Sequence, residues 1–110
     1  MKGGNTMKTV YVCCEINCPH LCSEVDTITD LCVFDTPERA VKWQNGRIKE
    51  GEKNGFIVDE GDNWKTDNDT LEELDRRGVS ATTMFLNHQD NWDSNYDICI
   101  IKKEVNNNVF

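Results

Sequence analysis

Cys14, Cys18, His20 and Cys22 form the densest group of thiol and imidazole side chains in this sequence. Thiolates and imidazoles are what a structural zinc ion takes, four of them in a tetrahedron. The spacing C-x3-C-x-H-x-C matches neither paired C-x2-C knuckles nor the usual iron–sulfur patterns. The group therefore reads first as small hydrophobes and surface thiols. A cysteine/histidine zinc-binding or redox-responsive module is the alternative, and no cofactor is expected. Thiol catalysis needs a base held within reach of the sulfur. His20 is too near Cys18 and Cys22 along the chain to form an oriented dyad. His88, beside Asp90, has no assigned nucleophile. The expectation is a protein that is not an enzyme.

The second chemistry on offer is negative charge. Residues 59–75, DEGDNWKTDNDTLEELD, set eight carboxylates against the single ammonium of Lys65, with Trp64 among them. Glycoside hydrolysis needs two carboxyl groups at a fixed separation in a sugar-sized cleft, and loop-borne acids in a chain this short show no sign of one. Asp67-Asn68-Asp69 begins like a calcium loop but lacks the glycine and the distal glutamate that complete it. What remains is an anionic surface with an aromatic anchor. The candidate partner-binding residues are Asp59, Glu60, Asp62, Trp64, Asp67, Asp69, Glu72, Glu73 and Asp75. Trp92 joins them because Asp62-Asn63-Trp64 recurs as Asp90-Asn91-Trp92, and tryptophan is a frequent hot-spot residue.

Composition narrows the partner. With 110 residues the chain makes one domain with a modest core. Its 20 Asp and Glu outnumber 12 Lys and Arg, for a net charge of −8. Phosphate contacts need cations, so nucleic acid is excluded as a direct ligand, and anionic membrane surfaces are disfavoured for the same reason. A basic protein fits, with an attraction that weakens as salt rises. No apolar stretch approaches the ~20 residues of a membrane span, and MKGGNTMKTV lacks the apolar core of a secretory signal. These features point to the cytoplasm, where the cysteines are reduced thiols.

The elements that would position these groups follow from periodicity. Residues 1–6 read as a flexible leader, 7–105 as one domain and 106–110 as a flexible tail. Residues 8–17 alternate as a strand, with Val10, Val12, Cys14 and Ile16 on one side and Tyr11, Cys13 and Glu15 on the other. Cys14 is expected to face the core. A second strand at 28–34 pairs with the first as a hairpin. Thr36, Pro37 and Glu38 are N-cap, first helical residue and first-turn anion of a helix. Val41 and Ile48, with Ala40 or Trp43, supply its buried stripe. Gly46 costs roughly 1 kcal/mol against alanine, which predicts a bend or early fraying. Asn54-Gly55 reads as its C-cap, and 56–58 as a short strand or apolar plug. Residues 59–68 look like an exposed loop, followed by a short acidic helix, LEELDRR, capped by Asp69 or Thr70 and closed by Gly78. Strands at 82–87 and 96–105 complete the chain, the consecutive Ile100-Ile101 placing the last one centrally. The order β-β-α-(β)-α-β-β predicts an α+β fold. Its antiparallel sheet has four to five strands, with one main helix packed on a face.

In size, acidity, lack of a diagnostic motif and compact α+β outline, residues 7–105 resemble the small acidic anti-CRISPR proteins of phages and mobile elements. The hairpin leading into VFDTPERA and a helix adds to the likeness. The resemblance implies a non-enzymatic, nucleic-acid-mimicking inhibitor in the host cytoplasm. Its partner would be a CRISPR effector nuclease, blocked at DNA recognition or at guide-RNA loading. It carries no binding residues of its own onto this chain.

Overall fold

The computed structural model of the chain describes residues 7–18, 27–58, 66–86 and 95–106. The leader at 1–6 and tail residues 107–110 fall outside them; Asn106, read as the first tail residue, closes the last strand. In chain order the elements are β1 (Met7–Cys18), β2 (Thr27–Phe34), α1 (Pro37–Lys53), β3 (Phe56–Val58), α2 (Asp67–Arg77), β4 (Val79–Leu86) and β5 (Asn95–Asn106). The strands form one antiparallel sheet in the order β2-β1-β5-β4-β3, so β5 is central as Ile100-Ile101 predicts. The fold is α+β, in the expected order of strands and helices.

Local chemistry explains the first helix. The Thr36 hydroxyl accepts the Arg39 amide, Pro37 occupies the first turn, and Asn54 ends the helix with its N–H turned back to the carbonyls of the last turn. Gly55 follows at φ 94°, where a glycine avoids the Cβ clash. The helix runs unbroken through Gly46, because Ala40, Val41 and Gln44 are buried along one side and Ile48 packs beside them. Tertiary packing there outweighs the local cost of one exposed glycine.

Both helices cover the same face of the sheet. One core cluster joins Tyr11, Cys13 and Ile100 to Ala40, Val41 and Leu74, with Trp43 and Leu71 packed against it. A second joins Val58, Met84 and Ile98 under Trp43 and Ile48. Residues directly opposite on neighbouring strands share a face. The register therefore assigns Cys13, Cys32, Ile100 and Ser80 to the helix side, and Cys14, Leu31, Cys99 and Ala81 to the other. This corrects one expectation. The Val10, Val12, Cys14 and Ile16 side of β1 is the side without helices, and Tyr11 and Cys13 enter the helix-covered core. Cys14 is nonetheless buried, between Leu31 and Cys99 on the neighbouring strands.

Gln44 was not foreseen. It is 2% exposed, and its side-chain amide donates to the Ile98 carbonyl at 2.9 Å, tying α1 to the central strand. A buried amide without such an acceptor would be costly, so this bond fixes how the helix lies on the sheet.

Candidate protein-binding surface

The acidic helix α2 starts earlier than its sequence suggests. Thr66, not Asp69 or Thr70, is the N-cap. Its hydroxyl accepts the Asp69 amide at 3.1 Å while the Asp69 carboxylate accepts the Thr66 amide at 3.0 Å, a reciprocal capping box. The signal was present as T-x-x-D, masked by the surrounding polar run. Gly78, at φ 77°, closes the helix by donating its N–H to the Leu74 carbonyl. Thr70 and Leu74 are buried and Leu71 is half-buried, so one edge holds the helix down. The opposite side is left to solvent.

The acids on α2 divide by what they do. The two hydrogen bonds from Thr66 hold the Asp69 carboxyl below the usual carboxylate range. The Asp67 carboxylate accepts a hydrogen bond from the Asn45 amide, which links α2 to α1. Both also sit in the first turn, where the helix dipole favours anions, while Arg76 and Arg77 occupy the last. Glu73 pairs with Arg77 at 3.3 Å. Asp75 lies 3.9 Å from Lys102, yet its side chain is 90% exposed. Glu72 is exposed and takes part in no ion pair among the described residues. Asp69, Glu72 and Asp75 follow one another at intervals of three, so each neighbours the next on the exposed side of the helix, with the exposed Arg76 one turn beyond Glu72. Asp59, Glu60, Asp62, Trp64 and Trp92 lie outside the described residues.

The cysteine group is not assembled within the described residues. Cys14 is buried in the sheet beside its cross-strand partner Cys99, Cys18 is the last residue of β1, and His20 and Cys22 lie outside. Among the described residues no three His, Cys, Asp or Glu side chains are arranged to hold a metal ion. On the helix side Cys13 and Cys32 face one another across β1 and β2. Burial, with Cys32 alongside, pushes the Cys13 thiol up to about 12, and burial raises Cys32 as well. Both are therefore neutral at pH 7 and poor nucleophiles. Elsewhere a cavity of about 250 Å³ lies between the sheet and the C-terminal half of α1, lined by Glu15, Thr29, Arg47, Glu50, Met84 and Ile98 among others. Two of its charged groups are engaged locally: Thr29 Oγ1 donates to Glu15 Oε2 at 2.9 Å, and Arg47 pairs with Asp30.

No family model matches the chain, and neither a curated protein nor a solved structure does. Among the described residues no helix is long and apolar enough to cross a membrane.

Proposed function

We propose that the chain is a non-enzymatic inhibitor that binds a basic protein partner through its acidic helix. Its target would be the cationic nucleic-acid channel of a CRISPR effector nuclease in the host cytoplasm. The observation that carries this reading is the outward pair Glu72 and Asp75, beside the capping carboxylate of Asp69, on a helix fixed at both ends by Thr66 and Gly78. A preorganised row of carboxylates offers an arginine-lined groove what a phosphate backbone offers, at little ordering cost. The net charge of −8 and the resemblance to small acidic inhibitors of such nucleases support the same reading. Exposed ion pairs contribute only about 0–1 kcal/mol each, so charge alone does not supply useful affinity. Trp64, just before the helix in sequence, is the proposed apolar anchor, and Trp64→Ala is expected to cost on the order of 2 kcal/mol of binding.

The capping and bridging acids are poor test positions, since altering Asp69, Asp67 or Glu73 disturbs the helix. Glu72→Lys with Asp75→Lys reverses outward charge without touching the cap, and gives up only the long 3.9 Å contact of the exposed Asp75 with Lys102. The test is a DNA-cleavage assay with guide-loaded effector nucleases of several types, titrated with the wild-type chain and this variant. Wild type is expected to block at least one effector and the double variant to be at least ten-fold weaker, with unchanged circular dichroism. Cleavage unaffected across the panel, or equal inhibition by the variant, would count against the reading.

A further inference from the structure

The helix-free face of the sheet is largely apolar, interrupted by Thr83, whose hydroxyl donates to the Asp97 carboxylate at 2.8 Å, and by lysines at one end. Across it lie Ile28, Leu31 and Val33 of β2, Val10, Val12, Cys14 and Ile16 of β1, Cys99 and Ile101 of β5, Val79, Ala81 and Phe85 of β4, and Ile57 of β3. Ile28, Leu31 and Val33 are each more than half exposed, and Ile57 is 38% exposed. A one-sided antiparallel sheet normally alternates apolar residues toward its core with polar residues toward water. Here the uncovered side of β1 carries Val, Val, Cys and Ile, while Glu15 and Asn17 stand on the helix side. Solvent alone is a poor neighbour for such a face.

We propose that this face is the interface of a homodimer in which two copies stack sheet on sheet, with their strands running in opposite directions. Three observations select a second copy as the occupant. The first is size. Five strands about 4.8 Å apart, most of them 8–12 residues long, give a face on the order of 600 Å² in plan, within the roughly 600–1,000 Å² per partner that stable interfaces bury. The second is where the charge lies. The acids of α2 are on the opposite layer, so stacking does not bring the two acidic surfaces together.

The third is charge complementarity across the face itself. Val10 pairs with Lys103 and Lys8 with Val105, so both lysines mark one end of the helix-free face, while Ile16 pairs with Asp97 at the other. A two-fold axis in the plane of the interface and perpendicular to the strands sets the lysine end of one copy over the Asp97 end of the next. The same axis lays β2 over β2, so the exposed Ile28, Leu31 and Val33 cover their own counterparts. That is the self-complementary patch an isologous dimer requires. An axis parallel to the strands would instead oppose lysine to lysine. Sheets stacked in this way keep their strands within about 30° of one another and interdigitate their facing side chains.

This proposal concerns the face opposite the acidic helix and stands or falls separately from the inhibitor reading. The test is sedimentation velocity on the full chain from about 1 to 200 μM, a range spanning ordinary dimer affinities, at low and physiological salt. Leu31→Glu/Val33→Glu and the milder Leu31→Thr/Val33→Thr are run alongside. The wild type is expected to reach twice its 12.6 kDa mass. The Glu pair is expected to stay monomeric with native circular dichroism, and the Thr pair to dissociate at least ten-fold more readily than the wild type. Should the Glu pair fail to fold, the Thr pair decides. A wild type that remains monomeric throughout the range overturns the proposal, as does a dimer that folded variants leave unchanged.

Discussion

The two faces of the sheet differ in what they require. On the helix side, Tyr11, Cys13, Ile98 and Ile100 are almost wholly removed from water by Ala40, Val41, Leu74 and their neighbours. On the other side, residues as apolar or more so keep much of their surface exposed, Leu31 and Val33 above all. Hydrophobicity therefore did not choose which side the helices cover. The short link from β2 to α1 and the immediate passage from α2 through Gly78 into β4 tie each helix closely to the edge of its strand. If the homodimer proposed above forms, the chain has divided its surface between folding and association.

Substitutions can sharpen that division, and the largest effect belongs to the covered face. Ile100→Ala removes a side chain with no exposure, and is expected to cost about 3 kcal/mol of unfolding free energy in urea denaturation. An effect below about 1 kcal/mol would mean that the helices are not firmly seated. Gln44→Leu comes next. It keeps the volume but leaves the Ile98 carbonyl without its 2.9 Å donor, at an expected cost of about 2 kcal/mol. A neutral outcome would show that the amide is not what locates α1.

The cap of α2 is third. Thr66→Ala loses the hydroxyl that receives the Asp69 amide, an expected loss of about 1 kcal/mol read by thermal denaturation. Its carboxylate partner adds a pH signature. Because the Asp69 carboxyl is held below its ordinary value, its stabilisation is complete above the unfolded-state pKa near 4 and disappears as pH falls through the lower folded value. The Tm deficit of Asp69→Ala should therefore be full at pH 6 and shrink below about pH 4. A deficit independent of pH would remove the charge from the explanation. The smallest effect lies on the exposed face. Leu31→Thr, measured in dilute protein where association is negligible, should change unfolding free energy by no more than about 0.5 kcal/mol. A larger loss would show that this face is part of the monomer's own core.

The order of the elements was legible because their punctuation is local. Thr36-Pro37-Glu38, Asn54-Gly55 and Gly78 each act within one helical turn, and the alternation of Tyr96, Ile98 and Ile100 sets the helix-side register of β5. Three features were not legible, and two of them depend on contacts far apart in sequence. Alternation in β1 separates two sets of residues but does not say which set meets the helices, since both contain apolar members. The burial of Gln44 is decided by a carbonyl 54 positions away. The start of α2 was misplaced because Asp67 and Asn68 look like loop residues until Thr66 and Asp69 are seen to cap one another. For the candidate surface, the sequence identified an acidic run and the fold separates its members: Asp67, Asp69 and Glu73 have structural work, while Glu72 and Asp75 face outward.

The most direct test of the central claim is the affinity of the wild-type chain for a guide-loaded effector nuclease, measured by calorimetry at about 50 and 300 mM salt, well to either side of physiological ionic strength, beside Glu72→Lys/Asp75→Lys. An acidic helix that occupies a cationic channel predicts binding that weakens at least ten-fold with salt and at least ten-fold again in the folded double variant. Binding indifferent to both salt and charge reversal, or no binding to any effector tried, would contradict it.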